Sequence, residues 1–218
     1  MTIRARVRDK NLKRKVYERE YNSVRNYKSG KVYLDSLFNT YSKLMVLRID
    51  FGYIAEEREK ITQEQARKDL ERFLNNQRGN SLFKYMVGYI WKLEFGARKG
   101  LHFHFIIIFN GANVQKDVYV AWKIGEYWKN KIAPNRGSYW NCNLEKDKYK
   151  LYGEGIGIGT ISHFERDKRI YFLNVLGYLT KKDQYLRLKT SIKCKSFGKG
   201  GKHQEKIGGA GRPRKNRM

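Results

Sequence analysis

Gly100-Leu101-His102-Phe103-His104-Phe105-Ile106-Ile107-Ile108-Phe109 decides the fold of this chain. Its side chains are aromatic or β-branched almost throughout, and Gly and Asn flank it, which is the composition of a strand. Strand side chains alternate between faces, so His102 and His104 point one way and Phe103 and Phe105 the other. Two imidazoles side by side on a rigid strand suit a divalent metal. They are two of only four histidines in the chain.

Working back from this strand, Met86 to Phe95 is also strand-like, and Gly96-Ala97-Arg98-Lys99-Gly100 reads as a five-residue turn. Pairing Phe95 with Leu101 then sets Glu94 opposite His102 on the same face. A loop one residue shorter would turn Glu94 to the other face. Glu94 is therefore the first choice for a third ligand. Asp50, on the strand Leu44 to Phe51, is the second, because Arg48 and Asp50 share the face opposite Leu47, Ile49 and Phe51. Mg²⁺ prefers oxygen ligands, the two imidazoles make Mn²⁺ a credible alternative, and Zn²⁺ accepts the same set.

The balance of charge points to a polyanion. Across 218 residues, 47 Lys and Arg oppose 21 Asp and Glu, a net charge of +26. Nucleic acid is the first candidate, and a membrane surface is disfavoured because no long basic helix carries a broad apolar face. Sixteen tyrosines interleaved with the cations suit stacking on unpaired bases, although those on strands belong to the core. Cys142 and Cys194 show neither metal spacing nor a disulfide framework, which fits a reducing cytoplasm. No apolar run has the length of a membrane span.

Three segments are expected: a basic arm and helical extension over 1–43, a catalytic-sized domain over 44–190, and a Gly/Lys/Arg-rich tail over 191–218. Lys10 to Tyr27 and Val32 to Lys43 are both compatible with helix. Thr62 is placed to cap a helix with Gln65 at the capping-box position. Asp117 to Ile132 is a second helix, closed off by Pro134. Ser138 to Asn143 is a short strand, and Glu145 to Tyr152 is expected to be a loop. The Gly-Ile alternation of Gly155 to Ile161 fits a strand approached closely by another backbone. Asp167 to Lys182 is a third helix, with an apolar side of Ile170, Leu173, Leu176 and Leu179 and with Tyr178 off that side. The order β-α-β-β-α-β is the ferredoxin-like, RNA-recognition-like split βαβ pattern. It predicts an α+β fold with an antiparallel sheet of about four to five strands, helices on one face and the first and third strands central.

The stretches Trp91-x-x-Glu94-x-Gly96, Gly100-Leu101-His102-x-His104 and Tyr178-Leu179-Thr180-Lys181-Lys182 resemble those of the HUH endonucleases, and within them the rolling-circle replication initiators of filamentous, inovirus-type phages. The likeness covers about residues 44–200. It implies metal-dependent, site-specific nicking and joining of single-stranded DNA, with Tyr178 as nucleophile, a covalent 5′-phosphotyrosyl intermediate and a freed 3′-OH that primes replication. It implies that Lys182 or Lys181 offsets charge in the transition state, and that His102, His104 and Glu94 hold Mg²⁺ or Mn²⁺. Arg48, Arg98, Lys99, Asn174, Arg212 and Arg214 are the candidates for contacts with DNA. Tyr171 and Tyr185, seven residues either side of Tyr178, are candidates for a second nucleophile. Implied partners are origin DNA and a host helicase and polymerase, since no ATPase signature is present; the implied compartment is a bacterial host's cytoplasm. Two rivals share parts of this pattern: a relaxase or transposase of the same chemistry, and a non-enzymatic RNA-recognition-like binder of single-stranded nucleic acid.

Overall fold

The computed structural model describes residues 23–151, 155–181 and 195–200. A helix over 23–40 (α1) leads into β1 (Lys43–Tyr53), and α2 (Gln63–Asn75) and a 3₁₀ turn (Ser81–Phe83) follow. The hairpin β2 (Met86–Gly96) and β3 (Gly100–Asn110) comes next. Then come α3 (Asp117–Tyr127), a π-helical turn (Trp128–Ile132) and β4 (Gly137–Asn141). A four-residue helix α4 (Lys148–Leu151), β5 (Gly159–Ser162), α5 (Arg166–Leu179) and β6 (Phe197–Gly200) complete the order.

All strands pair antiparallel, in the order β4-β1-β3-β2-β6, with β5 also on β1. β1 and β3 are central, as the split βαβ pattern predicts. The hairpin register is the expected one: Phe95 pairs with Leu101 and Glu94 with His102. The strands run one residue further than expected, to a Gly96–Gly100 pair, so only Ala97, Arg98 and Lys99 lie between them. Gly100 adopts φ +63°, a left-handed conformation that glycine takes without steric cost.

Helices cover both faces of the sheet rather than one. On the first face, Leu47, Ile49, Phe51, Phe103, Phe105 and Ile107 pack against Ala66, Leu70 and Phe73 of α2 and Ala121 and Ile124 of α3. Trp128 stacks on Phe51 at 4.7 Å and donates its indole N–H to the Gly52 carbonyl, so its one polar atom is satisfied in the core. On the second face, Val46, Ile106 and Ile108 lie under Leu34, Leu37 and Phe38 of α1 and Phe172, Leu176 and Leu179 of α5. The reason is in β3 itself: Ile106 to Phe109 does not alternate, and a strand apolar on both faces needs a cover on each. Only His102 and His104 break that pattern, and only at one end of the strand.

Two details fix the framework around the site. β5 covers Lys43 to Val46 of β1 and β4 covers Ile49 to Tyr53, leaving a gap in the ladder between them. The buried Asn143 side chain fills it, accepting from the Arg48 N–H at 2.8 Å and donating to the Val46 carbonyl at 3.0 Å. At the Gly-rich stretch, a Cβ on Gly157 would strike the backbone of Tyr171 and Phe172, so this segment touches α5 main chain to main chain.

Smaller departures from expectation have simple causes. Thr62 does cap α2, accepting from the Gln65 N–H, but the Gln65 amide turns to Asp69 and leaves the capping box half made. Ile170 is 56% exposed, because α5 docks through Phe172, Leu176 and Leu179. Glu145 to Tyr152 contains the short α4 as well as turns. His163 is a loop residue whose backbone N–H and ring both approach the Ser42 carbonyl.

Candidate metal centre

The site lies at the polar end of β3, on its second face. Cross-strand pairing generates it row by row. One row runs Trp140, Asp50, His104, Lys92 and Phe197 across β4, β1, β3, β2 and β6. The adjacent row sets His102 beside Glu94. On the other side of His102, Gly52 presents no side chain, and a Cβ there would come within 3.7 Å of the His102 Cβ.

Each histidine is held from behind. Nδ1 of His102 is 3.0 Å from the Gly100 carbonyl, and Nδ1 of His104 is 2.7 Å from Oδ1 of Asp50. Oxygen acceptors at Nδ1 place the ring proton there and leave the Nε2 lone pair for a metal. The two Nε2 atoms converge on Glu94, whose Oε2 lies 3.3 Å from that of His104 and 4.0 Å from that of His102. All three donor atoms fall within 4.8 Å of one another. Nε2 of His104 is buried and has no hydrogen-bond partner. A buried, orphaned donor atom facing a second imidazole and a carboxylate is what a metal would satisfy. Glu94, His102 and His104 fit a divalent ion, while Asp50 orients His104.

The charges agree with that division. Burial holds His102 below the ordinary imidazole range, against the pull of the Gly100 carbonyl and Glu94. Burial also depresses His104, but Asp50 and Glu94 outweigh it and hold its pKa above the ordinary value. Burial would raise both carboxyls, yet His104 leads the interactions that keep Asp50 and Glu94 below the usual range. Without metal, a His104 ring protonated on both nitrogens lies between the Asp50 and Glu94 carboxylates, and a cation at Nε2 would take the place of the proton there.

α5 brings Tyr178 over this centre. Its ring meets that of His104 edge-on at 5.3 Å between centroids. The Arg48 guanidinium lies 4.4 Å from the Tyr178 ring centroid and the Lys181 ammonium 5.0 Å. Arg48 is buried at 8% exposure and stands 3.9 Å from Asp50. Burial raises the Tyr178 pKa; Arg48 opposes this, and Asp50 and Glu94 add to it. The phenol is therefore protonated at neutral pH, and a cation on Glu94 would remove part of the repulsion that keeps it so.

The remaining candidates are dispersed. Arg98 and Lys99 are exposed at the hairpin tip beside the site, and Lys99 acts electrostatically on Asp50 and His102. Asn174 is exposed one turn before Tyr178. Lys182, Tyr185, Arg212 and Arg214 lie outside the described residues. Tyr171 is seated against Gly155 and Gly157. Two site residues escaped the sequence reading. Lys92 is 3% exposed, and its Nζ reaches the Lys181 carbonyl at 3.5 Å, joining β2 to the end of α5. Trp140 is 56% exposed on the same row as Asp50. Both had a signal: Lys92 stands two residues before Glu94 and so shares its face, and Trp140 lies on the strand Ser138 to Asn143.

Residues 7–200 match the model of the YagK/YfjJ C-terminal domain family. The chain belongs to that family. No curated protein and no solved structure matches it. The match spans α1 to β6, so it takes in every residue of the candidate metal centre and Tyr178. Among the described residues of this family member, no helix is long and apolar enough to cross a membrane.

Proposed function

We propose that this YagK/YfjJ-family chain is a metal-dependent endonuclease that nicks and rejoins single-stranded DNA through Tyr178 to initiate rolling-circle replication. The observation that carries the reading is the position of the Tyr178 ring against His104, over a centre of two histidines and a glutamate. Net charge supports a polyanionic substrate, and the likeness of Trp91 to His104 and Tyr178 to Lys181 to filamentous-phage initiators supports the reaction class. A non-enzymatic RNA-recognition-like binder would present aromatics on an open sheet face. Here Phe103, Phe105 and Phe109 are buried in the core that α2 and α3 cover, which favours the enzyme.

The metal, Mg²⁺ or Mn²⁺, would supply Lewis acidity at a non-bridging phosphate oxygen. The chain's residues do the rest. Tyr178 Oη bonds to phosphorus as the P–O3′ bond breaks. The phenol's proton passes to water, the departing 3′ oxygen takes one up, and the 5′-phosphate stays on the tyrosine. Arg48 holds the ring in place, and Lys181 adds positive charge where the phosphorane oxygens develop theirs. The reverse attack by a 3′-OH restores the strand, because the phosphotyrosyl bond retains the energy of the diester.

The test is covalent capture. Labelled single-stranded oligonucleotides tiling a candidate origin, with Mn²⁺ or Mg²⁺, should yield an adduct that mass spectrometry places on Tyr178. Tyr178→Phe should bind DNA and metal without forming it, and His102→Ala with His104→Ala should lose it too. Full adduct yield from Tyr178→Phe, or attachment at another tyrosine, overturns the nucleophile.

A further inference from the structure

On the face of the sheet away from the metal centre, α3 and the 3₁₀ turn border a cleft of about 790 Å³. We propose that this cleft, with Trp122 at its border beside Tyr119, is a second binding site for unpaired polynucleotide, in which bases stack on Tyr85, Tyr119 and Trp122 while lysines neutralise the backbone. The inference does not depend on the metal or on Tyr178.

Three observations carry it. First, large aromatics are exposed where core packing does not need them: Tyr119 at 52%, Trp122 at 45% and Tyr85 at 40%. α3 anchors itself with Ala121 and Ile124, so the opposite side of the helix is free to take a ligand. Second, each aromatic is paired with a cation. Lys123 Nζ lies 5.6 Å from the Tyr119 ring and 5.4 Å from the Trp122 ring, and Lys84 Nζ lies 5.1 Å from that of Tyr85. The Tyr119 and Trp122 rings are 5.7 Å apart, which makes one extended platform. Aromatic platforms with cations beside them bind single strands without regard to sequence. Third, the cleft carries net positive charge, four lysines (Lys84, Lys116, Lys123 and Lys131) against one carboxylate. Lys84, Lys116 and Lys123 line it and make no ion pair among the described residues. Its single carboxylate, Glu126, is occupied by the Tyr139 hydroxyl at 2.9 Å and the Asn130 amide at 3.0 Å.

The placement requires a separate stretch of the polymer. The cleft floor reaches Phe109, five residues along β3 from His104, which is roughly 17 Å along the strand and on the other face of the sheet. A strand seated at the metal centre would have to round the sheet edge to arrive here. The second site thus holds flanking or displaced single strand.

The experiment uses the full chain in EDTA, so that no metal-assisted contact contributes. Oligo-dT and oligo-U carrying 5-iodouracil are irradiated with the protein, and crosslinked peptides are mapped. Crosslinks at Tyr85, Tyr119 or Trp122 are expected, and whichever of the two polymers crosslinks and binds more tightly identifies the source. Tyr119→Ala with Trp122→Ala should weaken binding about tenfold by fluorescence anisotropy. As a variant pair that leaves the aromatics in place, Lys84→Glu with Lys123→Glu should lower the slope of log affinity against log salt by roughly 1.4. Circular dichroism controls for folding in both. Crosslinks confined to other peptides, or unchanged affinity and slope in both folded variants, overturn the site. So does a dimer that sediments as a monomer after Tyr119→Ala and Trp122→Ala with DNA binding intact, since the cleft would then join two copies of the chain.

Discussion

Asp50 reaches the candidate metal centre from the back. Its Oδ1 takes the Nδ1 proton of His104 at 2.7 Å, and the ring's other nitrogen faces Glu94. A carboxylate in that place fixes both the tautomer and the rotation of a ligand, and partners of this kind are worth about 10- to 100-fold in metal affinity. Asp50→Ala should therefore weaken Mn²⁺ binding by about that factor, measured by titration calorimetry, and Asp50→Asn should fall between because its amide oxygen still accepts from Nδ1–H. Unchanged affinity in Asp50→Ala would remove its positioning role. The sequence placed Asp50 on the correct face but offered it as an alternative ligand. The distinction rests on the β1–β3 register, Asp50 against His104, a pairing between segments 54 residues apart that no turn sets. Glu94 was legible for the opposite reason: a short turn ties it to His102, and the period of two does the rest.

At the scale of elements, the question is what holds α5 at the distance that puts Tyr178 on His104. Its apolar residues Phe172, Leu176 and Leu179 set the depth, and Gly157 sets the lateral position by letting main chain touch main chain. Gly157→Ala places a methyl group against the backbone of Tyr171 and Phe172, which cannot rotate away as a side chain can. The helix must shift, at a cost of about 1–3 kcal/mol for an overpacked contact. The expected result is a lowered denaturation midpoint and an adduct yield reduced more than DNA affinity is, because a displacement of about 1 Å at a nucleophile costs on the order of 100-fold in rate. Wild-type adduct yield from a Gly157→Ala protein of unchanged stability would show that the contact positions nothing. The Gly-Ile alternation announced a close backbone approach in the sequence, but not which element approaches. The second layer of helices was legible too, in the unbroken apolar run Ile106 to Phe109, although the split βαβ pattern by itself draws attention to one layer only.

At the scale of the whole molecule, Glu94, His102 and His104 lie on β2 and β3, and Asp50 ties them to β1, so a metal held there would bear on the stability of the entire sheet. An ion at 100 times its dissociation constant adds about 2.7 kcal/mol to folding when the unfolded chain does not bind it. For a chain of this size that is roughly 5–10 °C in Tm. The pH dependence follows from the charges. His104 is raised in the folded state, so without metal its contribution is complete below about pH 6.5, the unfolded value, and is lost as pH rises through the folded value. His102 is lowered, so its neutral burial costs stability as pH falls below about 6.5. Asp50 and Glu94 are lowered, and their contribution is lost only in acid, as pH drops through their folded values. Together these four groups contribute most near the histidine range, whereas a metal would have to displace the His104 proton and should bind better as pH rises. Scanning calorimetry with and without Mn²⁺ should give a larger Tm increase at pH 8 than at pH 6.5, and none at either pH for His102→Ala with His104→Ala. Calorimetric titration in buffers of different ionisation enthalpy should show more protons released per ion at pH 6.5 than at pH 8. A Tm increase that survives in the double variant, or one that shrinks as pH rises, would place the ion elsewhere on the chain.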